Sequence, residues 1–143
     1  MSATNTLETE LLDLIFTGSA IADIADNDAT SPATNLYVSL HTSDPGEAGV
    51  QNTNETAYTN YARVAVARTS GGWTVSSNLA TNAGAVTFPA CGVTGATITH
   101  FGIGVASSGA TVLLFKGALS ASLAVSSGIT PAFAAGEIDV TAD

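Results

Sequence analysis

The chain has 143 residues and little charge: three residues are Lys or Arg and twelve are Asp or Glu, giving a formal net charge of −9. Nucleic-acid binding and polybasic membrane attachment both need a basic surface, so we expect no nucleic-acid partner and no membrane partner. The single cysteine, Cys91, excludes an internal disulfide and a zinc site built from several cysteines.

The chain begins with a pattern typical of a short amphipathic helix. Asn5 and Glu8 have the spacing of a capping box, and Gly18 is a residue at which such a helix can end. Its apolar positions share one helical face: Leu7, Leu11, Leu14 and Ile15. Because so short a helix needs a partner surface, these four residues are candidate assembly contacts. They face either the chain's own β-module or a neighbouring chain.

A weaker helical segment is predicted at residues 19–25, and a loop follows at residues 26–32. Asp23, Asp26 and Asp28 stand close together here, and hard cations prefer oxygen ligands. The spacing does not match the twelve-residue EF-hand loop, because position 12 counted from Asp26 is Tyr37. We favour a solvated loop over a structural ion, and the sequence predicts no metal and no cofactor.

From residue 34 onward the hydrophobic period changes to two, which predicts strands bounded by Gly, Pro and Ser turns. The predicted strands span residues 36–41, 61–68, 73–75, 85–88, 97–105, 111–119, 123–125 and 137–141. About eight strands after one helix predict an all-β fold with a short N-terminal α-helix. The architecture expected is an antiparallel β-sandwich of jelly-roll or Greek-key type. We divide the chain into a helix and arm (1–33) and a β-sandwich module (34–143).

Candidate catalytic residues are few. His41 stands near Asp44, and a carboxylate can orient a histidine as a general base. Serines are so abundant that the presence of one as a possible nucleophile is no evidence for catalysis. The Gly-x-Ser-x-Gly pattern of serine hydrolases is absent. We therefore favour His41 as a side chain that caps a turn, predict that the protein is not an enzyme, and keep a small hydrolase as a minor alternative.

Two glycines and the cysteine have structural interpretations. Gly102 and Gly104 lack the third glycine of a dinucleotide-binding motif, so within a strand they indicate a close approach or a bulge. Cys91 has no cationic neighbour in sequence and is interpreted as a small buried hydrophobe.

The charges are unevenly distributed, since residues 56–136 contain no Asp or Glu. A surface of hydroxyls and amides loses less on desolvation than a charged one. This favours packing against neighbouring proteins, although an ordinary uncharged surface explains the pattern equally well.

Several segments resemble a family of small virion proteins of tailed bacteriophages, described as tail-fibre-like, minor tail or head-decoration proteins. The resemblance covers residues 34–141 and rests on residues 36–49, 61–68, 72–75, 88–90 and 98–103. The block from Leu36 to Pro45, Leu-Tyr-x-x-Leu-His-Thr-x-Asp-Pro, is the most specific part.

The resemblance implies a structural protein of the virion, assembled in the cytoplasm of the bacterial host, with no catalytic residues to transfer. We expect first a capsid decoration or cement protein that binds the head as a symmetric oligomer. A tail fibre, tail tip or baseplate protein involved in host attachment is the alternative. The expected partners are other copies of the chain, as a homotrimer, together with the major capsid protein or tail proteins.

Overall fold

The computed structural model describes residues 2–7, 10–11, 20–22, 24–25, 33–76 and 79–141. Residues 5–7 and 10–11 are helical. The strands are β1 (Ser2–Ala3), β2 (Asn35–His41), β3 (Val64–Ala67), β4 (Trp73–Ser76), β5 (Leu79–Asn82), β6 (Val86–Thr87), β7 (Ala96–Gly104), β8 (Leu113–Val125), β9 (Ala132–Phe133) and β10 (Asp139–Thr141).

The strands form an antiparallel sandwich. The main sheet has five strands in the order β1-β8-β7-β2-β3, and the facing layer consists of a three-stranded sheet, β10-β5-β4, and a two-stranded sheet, β6-β9. Every pairing between these strands is antiparallel. The prediction of an all-β sandwich with a short N-terminal helix is therefore confirmed, while the jelly-roll or Greek-key connectivity stays a prediction.

The core lies between the sheets because alternate residues of β2 and β7 point inward. Val38 and Leu40 of β2 and Ile98 of β7 are fully or almost fully buried. A chain of aromatic rings crosses the core, with Phe101 of β7 packed edge-on against Phe133 of β9 at a centroid distance of 5.6 Å. These contacts join the two-stranded sheet to the main sheet.

Three strands were not predicted, and two predictions were wrong in detail. β1, β5 and β9 are absent from the prediction, and residues 123–125 do not form a separate strand because β8 continues through them. At residues 20–25 the described positions do not form a helix. Ile21 and Ala25 instead pair across a tight turn, with the Ile21 N–H donating to the Ala25 carbonyl at 2.9 Å.

The bulge predicted for the strand glycines is confirmed at Gly104, whereas Gly102 is approached by side chains and not by another backbone. The β7–β8 pairing shifts register between Ile103 and Gly104, which is a bulge. A Cβ on Gly102 would lie 2.8 Å from His41 Nε2 and 2.9 Å from Ser39 Oγ, so this position has room only for glycine.

The division into an arm (1–33) and a module (34–143) stays a prediction. β1 nevertheless adds the beginning of the chain to the main sheet, with Ala3 opposite Phe115 of β8. The Thr4 hydroxyl strengthens this attachment by donating to the Leu113 carbonyl at 2.7 Å. Within the described part of the chain, no helix has the length and apolar character needed to cross a membrane.

Candidate functional site: a buried polar network at one end of the sandwich

The His41 side chain is fully buried at the end of β2. Its Nδ1 lies 2.9 Å from the Thr53 carbonyl, and because a carbonyl only accepts, Nδ1 carries the proton. Nε2 then accepts a hydrogen bond from the Ser39 hydroxyl at 2.9 Å. Burial lowers the pKa of His41, so the ring is held neutral. His41 thus caps the turn at residues 51–54, as predicted.

Asp44 points elsewhere, so the predicted His41–Asp44 candidate base is not formed. The Asp44 carboxylate accepts from the Gly46 N–H at 2.8 Å, which lowers its pKa, and it also pairs with Lys116. Ser39 and His41 are both 0% exposed, so a nucleophile and base at this place have no surface on which to receive a substrate.

The strongest polar contact is an ion pair that the sequence did not predict. Arg63 and Glu55 form a bidentate pair, with Nε to Oε1 and Nη2 to Oε2 both at 2.7 Å. Only 2% of the Arg63 side chain and 14% of the Glu55 side chain are exposed. Such a planar fork binds a carboxylate more specifically than an ammonium group does.

Arg63 also binds the loop between β7 and β8. Its Nη1 donates to the Ala106 carbonyl at 2.9 Å and to the Thr111 hydroxyl at 3.4 Å, and its Nη2 donates to the Gly109 carbonyl at 2.8 Å. With the two bonds to Glu55, all five N–H donors of the guanidinium have a partner. The network therefore clamps residues 105–111 to the loop that carries Glu55.

Tyr61 connects this network to the main sheet. Its hydroxyl donates to Glu55 Oε1 at 2.8 Å and accepts from the Leu40 N–H of β2 at 3.0 Å. Burial raises the pKa of Tyr61 strongly, so the hydroxyl keeps its proton and its donor role. A cavity of about 500 Å³ lies beside the network. Glu55 and Arg63 form part of its lining, together with the exposed residues Asn60, Ser107 and Ser108.

Lys116 of β8 forms a second, more exposed cluster. Its Nζ lies 2.7 Å from Glu47 Oε1 and 3.3 Å from Asp44 Oδ1. The hydrogen bond that Lys116 donates to Glu47 is the main reason that the pKa of Lys116 is raised. Among the described residues, no group of three or more His, Cys, Asp or Glu side chains is arranged to hold a metal ion.

The family model described as Podophage GP4 fiber I protein gp80 matches residues 2–141, which include every described strand. The chain belongs to this family. It is therefore a structural component of a tailed-phage virion, assembled in the host, and the predicted resemblance is confirmed. No curated protein matches the chain.

In this fibre-family protein, the predicted assembly contacts are only partly within the described residues. Leu7 is half-buried, and Leu11 is 48% exposed at a helical position. Leu14 and Ile15 lie outside the described residues, as do Asp23, Asp26 and Asp28 of the candidate ion loop. Cys91 is buried, as expected.

Sequence reasoning missed Glu55 and Arg63. One pattern pointed to them: Glu55 is the last acidic residue before the long segment without acids, and Arg63 follows eight positions later. In a chain with so few charges, an acidic and a basic residue that stand near each other in sequence are candidates for an ion pair. Whether that ion pair is buried depends on the fold of both loops.

Proposed function

We propose that the protein is a component of a tail fibre and takes part in attachment of the phage to its host. The observation that carries the proposal is the fibre family matched across residues 2–141. This description favours the tail alternative over head decoration, which was the first expectation from the sequence.

The clamped end of the sandwich is the surface that we assign to host contact. The Arg63 network fixes two loops against each other, and the Asn60, Ser107 and Ser108 side chains stand at the mouth of the cavity beside it. Because these groups are polar but uncharged, they lose less on desolvation than the acidic side chains of this chain would. A fixed loop also loses less conformational entropy when it binds.

In this proposal, copies of the chain assemble as a homotrimer. The contact is supplied by the N-terminal apolar stripe, which consists of Leu7, Leu11, Leu14 and Ile15. Leu11 supports it, because a large apolar side chain that is about half exposed on a short helix gains stability when a neighbour covers it. The mass of the purified protein, measured by light scattering after gel filtration, tests the oligomeric state.

Immunogold labelling of purified particles tests the position in the virion. Gold at the tail is the expected result, whereas gold on the heads would contradict the tail proposal and select the decoration protein. An adsorption assay then tests host contact, since excess purified protein should compete with phage for cells. Ser108→Trp, at the mouth of the cavity, should abolish this competition. Val75→Trp, on a β4 side chain that is 72% exposed and does not line this cavity, should leave it intact.

A further inference from the structure

A groove of about 520 Å³ separates β8 from β9 on one side of the sandwich. Residues 117–121 of β8 line one wall, and Pro131, Ala132 and Phe133 line the other. Leu40 and Phe101, which belong to the core, also contact the groove. The groove therefore opens onto apolar side chains between two strands.

The β8 wall contains a wide bulge. The β7–β8 pairing passes directly from Ile98↔Leu123 to His100↔Ala118, so residues 119–122 stand opposite Thr99 alone. The backbone groups of the bulge therefore cannot all pair with β7. Bulges of this kind interrupt a ladder and are common beside functional surfaces.

Among the described strands, only β1 lies along the other edge of β8, and it covers the first residues of that edge. β1 pairs only with Phe115 and Lys116, and within the described chain no other strand pairs with that edge. Residues 117–125 contain no charged residue and no proline, the features by which proteins usually protect an edge strand. Such an edge is a template to which an extended segment can add as a further strand.

The rim of the groove is acidic. Glu137 and Asp139 line it, and both are exposed. They are the first acidic residues after residues 56–136, which contain none, so carboxylates and apolar surface meet at this groove. A ligand that fills the groove needs an apolar or backbone portion and a cation.

We propose that this groove receives an extended segment of another virion protein, a segment that carries Lys or Arg. Its backbone pairs with the edge of β8 that faces away from β7, beyond Lys116, and its cation lies against Glu137 and Asp139. A second copy of the chain is a poorer source of such a segment, because two of its three cationic side chains are held in ion pairs and the third, Arg68, is exposed but already donates to two carbonyls. Arg63 has all of its donors paired, Lys116 binds Asp44 and Glu47, and Arg68 donates to the carbonyls of Ile24 and Ala33.

Carboxyl labelling of the whole particle tests the proposal. Free protein and purified virions are treated with a water-soluble carbodiimide and glycinamide, and labelling of Glu137 and Asp139 is measured by mass spectrometry. We expect at least tenfold less labelling in virions. Where the partner's cation is a lysine, we also expect, without glycinamide, an amide bond from one of these carboxylates to that lysine of a different virion protein. Equal labelling in both samples, or a bond to a second copy of this chain, would overturn the proposal.

Two matched pairs of variants test the groove directly through incorporation into particles. Ala121→Trp fills the groove and should lower incorporation at least tenfold, whereas Val93→Trp should be incorporated normally. Asp139→Asn should lower incorporation, whereas Asp44→Asn, which changes the net charge equally, should not. Thermal unfolding confirms that each variant is folded, and normal incorporation of both groove variants would refute the proposal.

The groove proposal rests on the virion role of the chain and not on its position in the tail. If gold labels the heads while Asp139 is protected in particles, the tail proposal fails and the groove proposal stands. If gold labels the tail while Asp139 is labelled as freely as in the isolated protein, the groove proposal fails alone.

Discussion

Removal of Arg63 should destabilise the protein more than removal of any exposed charge. Arg63→Met leaves the Glu55 carboxylate largely buried without its cation and frees the carbonyls of Ala106 and Gly109. Loss of one partner of a buried pair costs about 3–5 kcal/mol. At about 3 °C per kcal/mol for a domain of this size, Tm should fall by about 9–15 °C.

Urea unfolding and calorimetry at pH 7 measure this loss, and amide hydrogen exchange should accelerate at residues 105–111. The double variant Arg63→Met/Glu55→Met should be more stable than Arg63→Met, because it leaves no unpaired buried charge. Glu47→Gln is the control, since Glu47 is exposed and its loss should cost less than about 1 kcal/mol. A cost below about 1 kcal/mol for Arg63→Met, or a double variant no more stable than the single one, would refute the reasoning.

Three further variants test other parts of the structure. Tyr61→Phe leaves the Leu40 N–H without its acceptor and should cost about 1–3 kcal/mol in urea unfolding; no loss would show that this bond does not stabilise the fold. His41 has a lowered pKa, so the unfolded chain takes up a proton below about pH 6.5 while the folded chain does not. Stability should therefore fall as the pH drops below about 6.5, by at most about 1.4 kcal/mol per pH unit. His41→Gln should remove that slope between pH 6.5 and 5.5, and an unchanged slope would assign it to another group. Leu11→Lys should lower the oligomer mass measured by light scattering, whereas Val93→Lys should not; an unchanged mass for Leu11→Lys would exclude the stripe as the contact.

The main sheet could be predicted because its strands carry a strong period-two pattern. In β2, Leu36, Val38 and Leu40 alternate with more polar residues, and both β2 and β7 were located to within about two residues. β5 was missed because Leu79–Asn82 contains only one large apolar residue and so shows no alternating pattern. β9 was missed because it is only two residues long and directly follows a proline. Short strands of this kind form because tertiary packing selects them rather than local preference.

The polar network could not be predicted, because nothing local brings its members together. Glu55 and Arg63 lie in segments without regular structure, and the remaining partners, Ala106 and Gly109, contribute backbone carbonyls that any residue carries. The place of His41 at the end of a strand predicted that it caps a turn, but not that this turn is residues 51–54, reached through the Thr53 carbonyl, rather than the turn that follows β2 directly. A side chain whose hydrogen-bond partners are backbone groups far away in the sequence cannot be recognised from a single sequence.

The three cationic side chains have one role in common: each fastens a distant part of the chain to the sandwich. Arg63 holds the β7–β8 loop, Lys116 holds the loop that carries Asp44 and Glu47, and Arg68 holds the carbonyls of Ile24 and Ala33. Arg68 is itself exposed, but the exposed formal charge on the described residues is acidic in sum, because Asp44, Glu137 and Asp139 outnumber it. A partner that binds this protein through charge must bring the cation itself, and the acidic groove beside the β8 bulge is the surface at which that requirement is met.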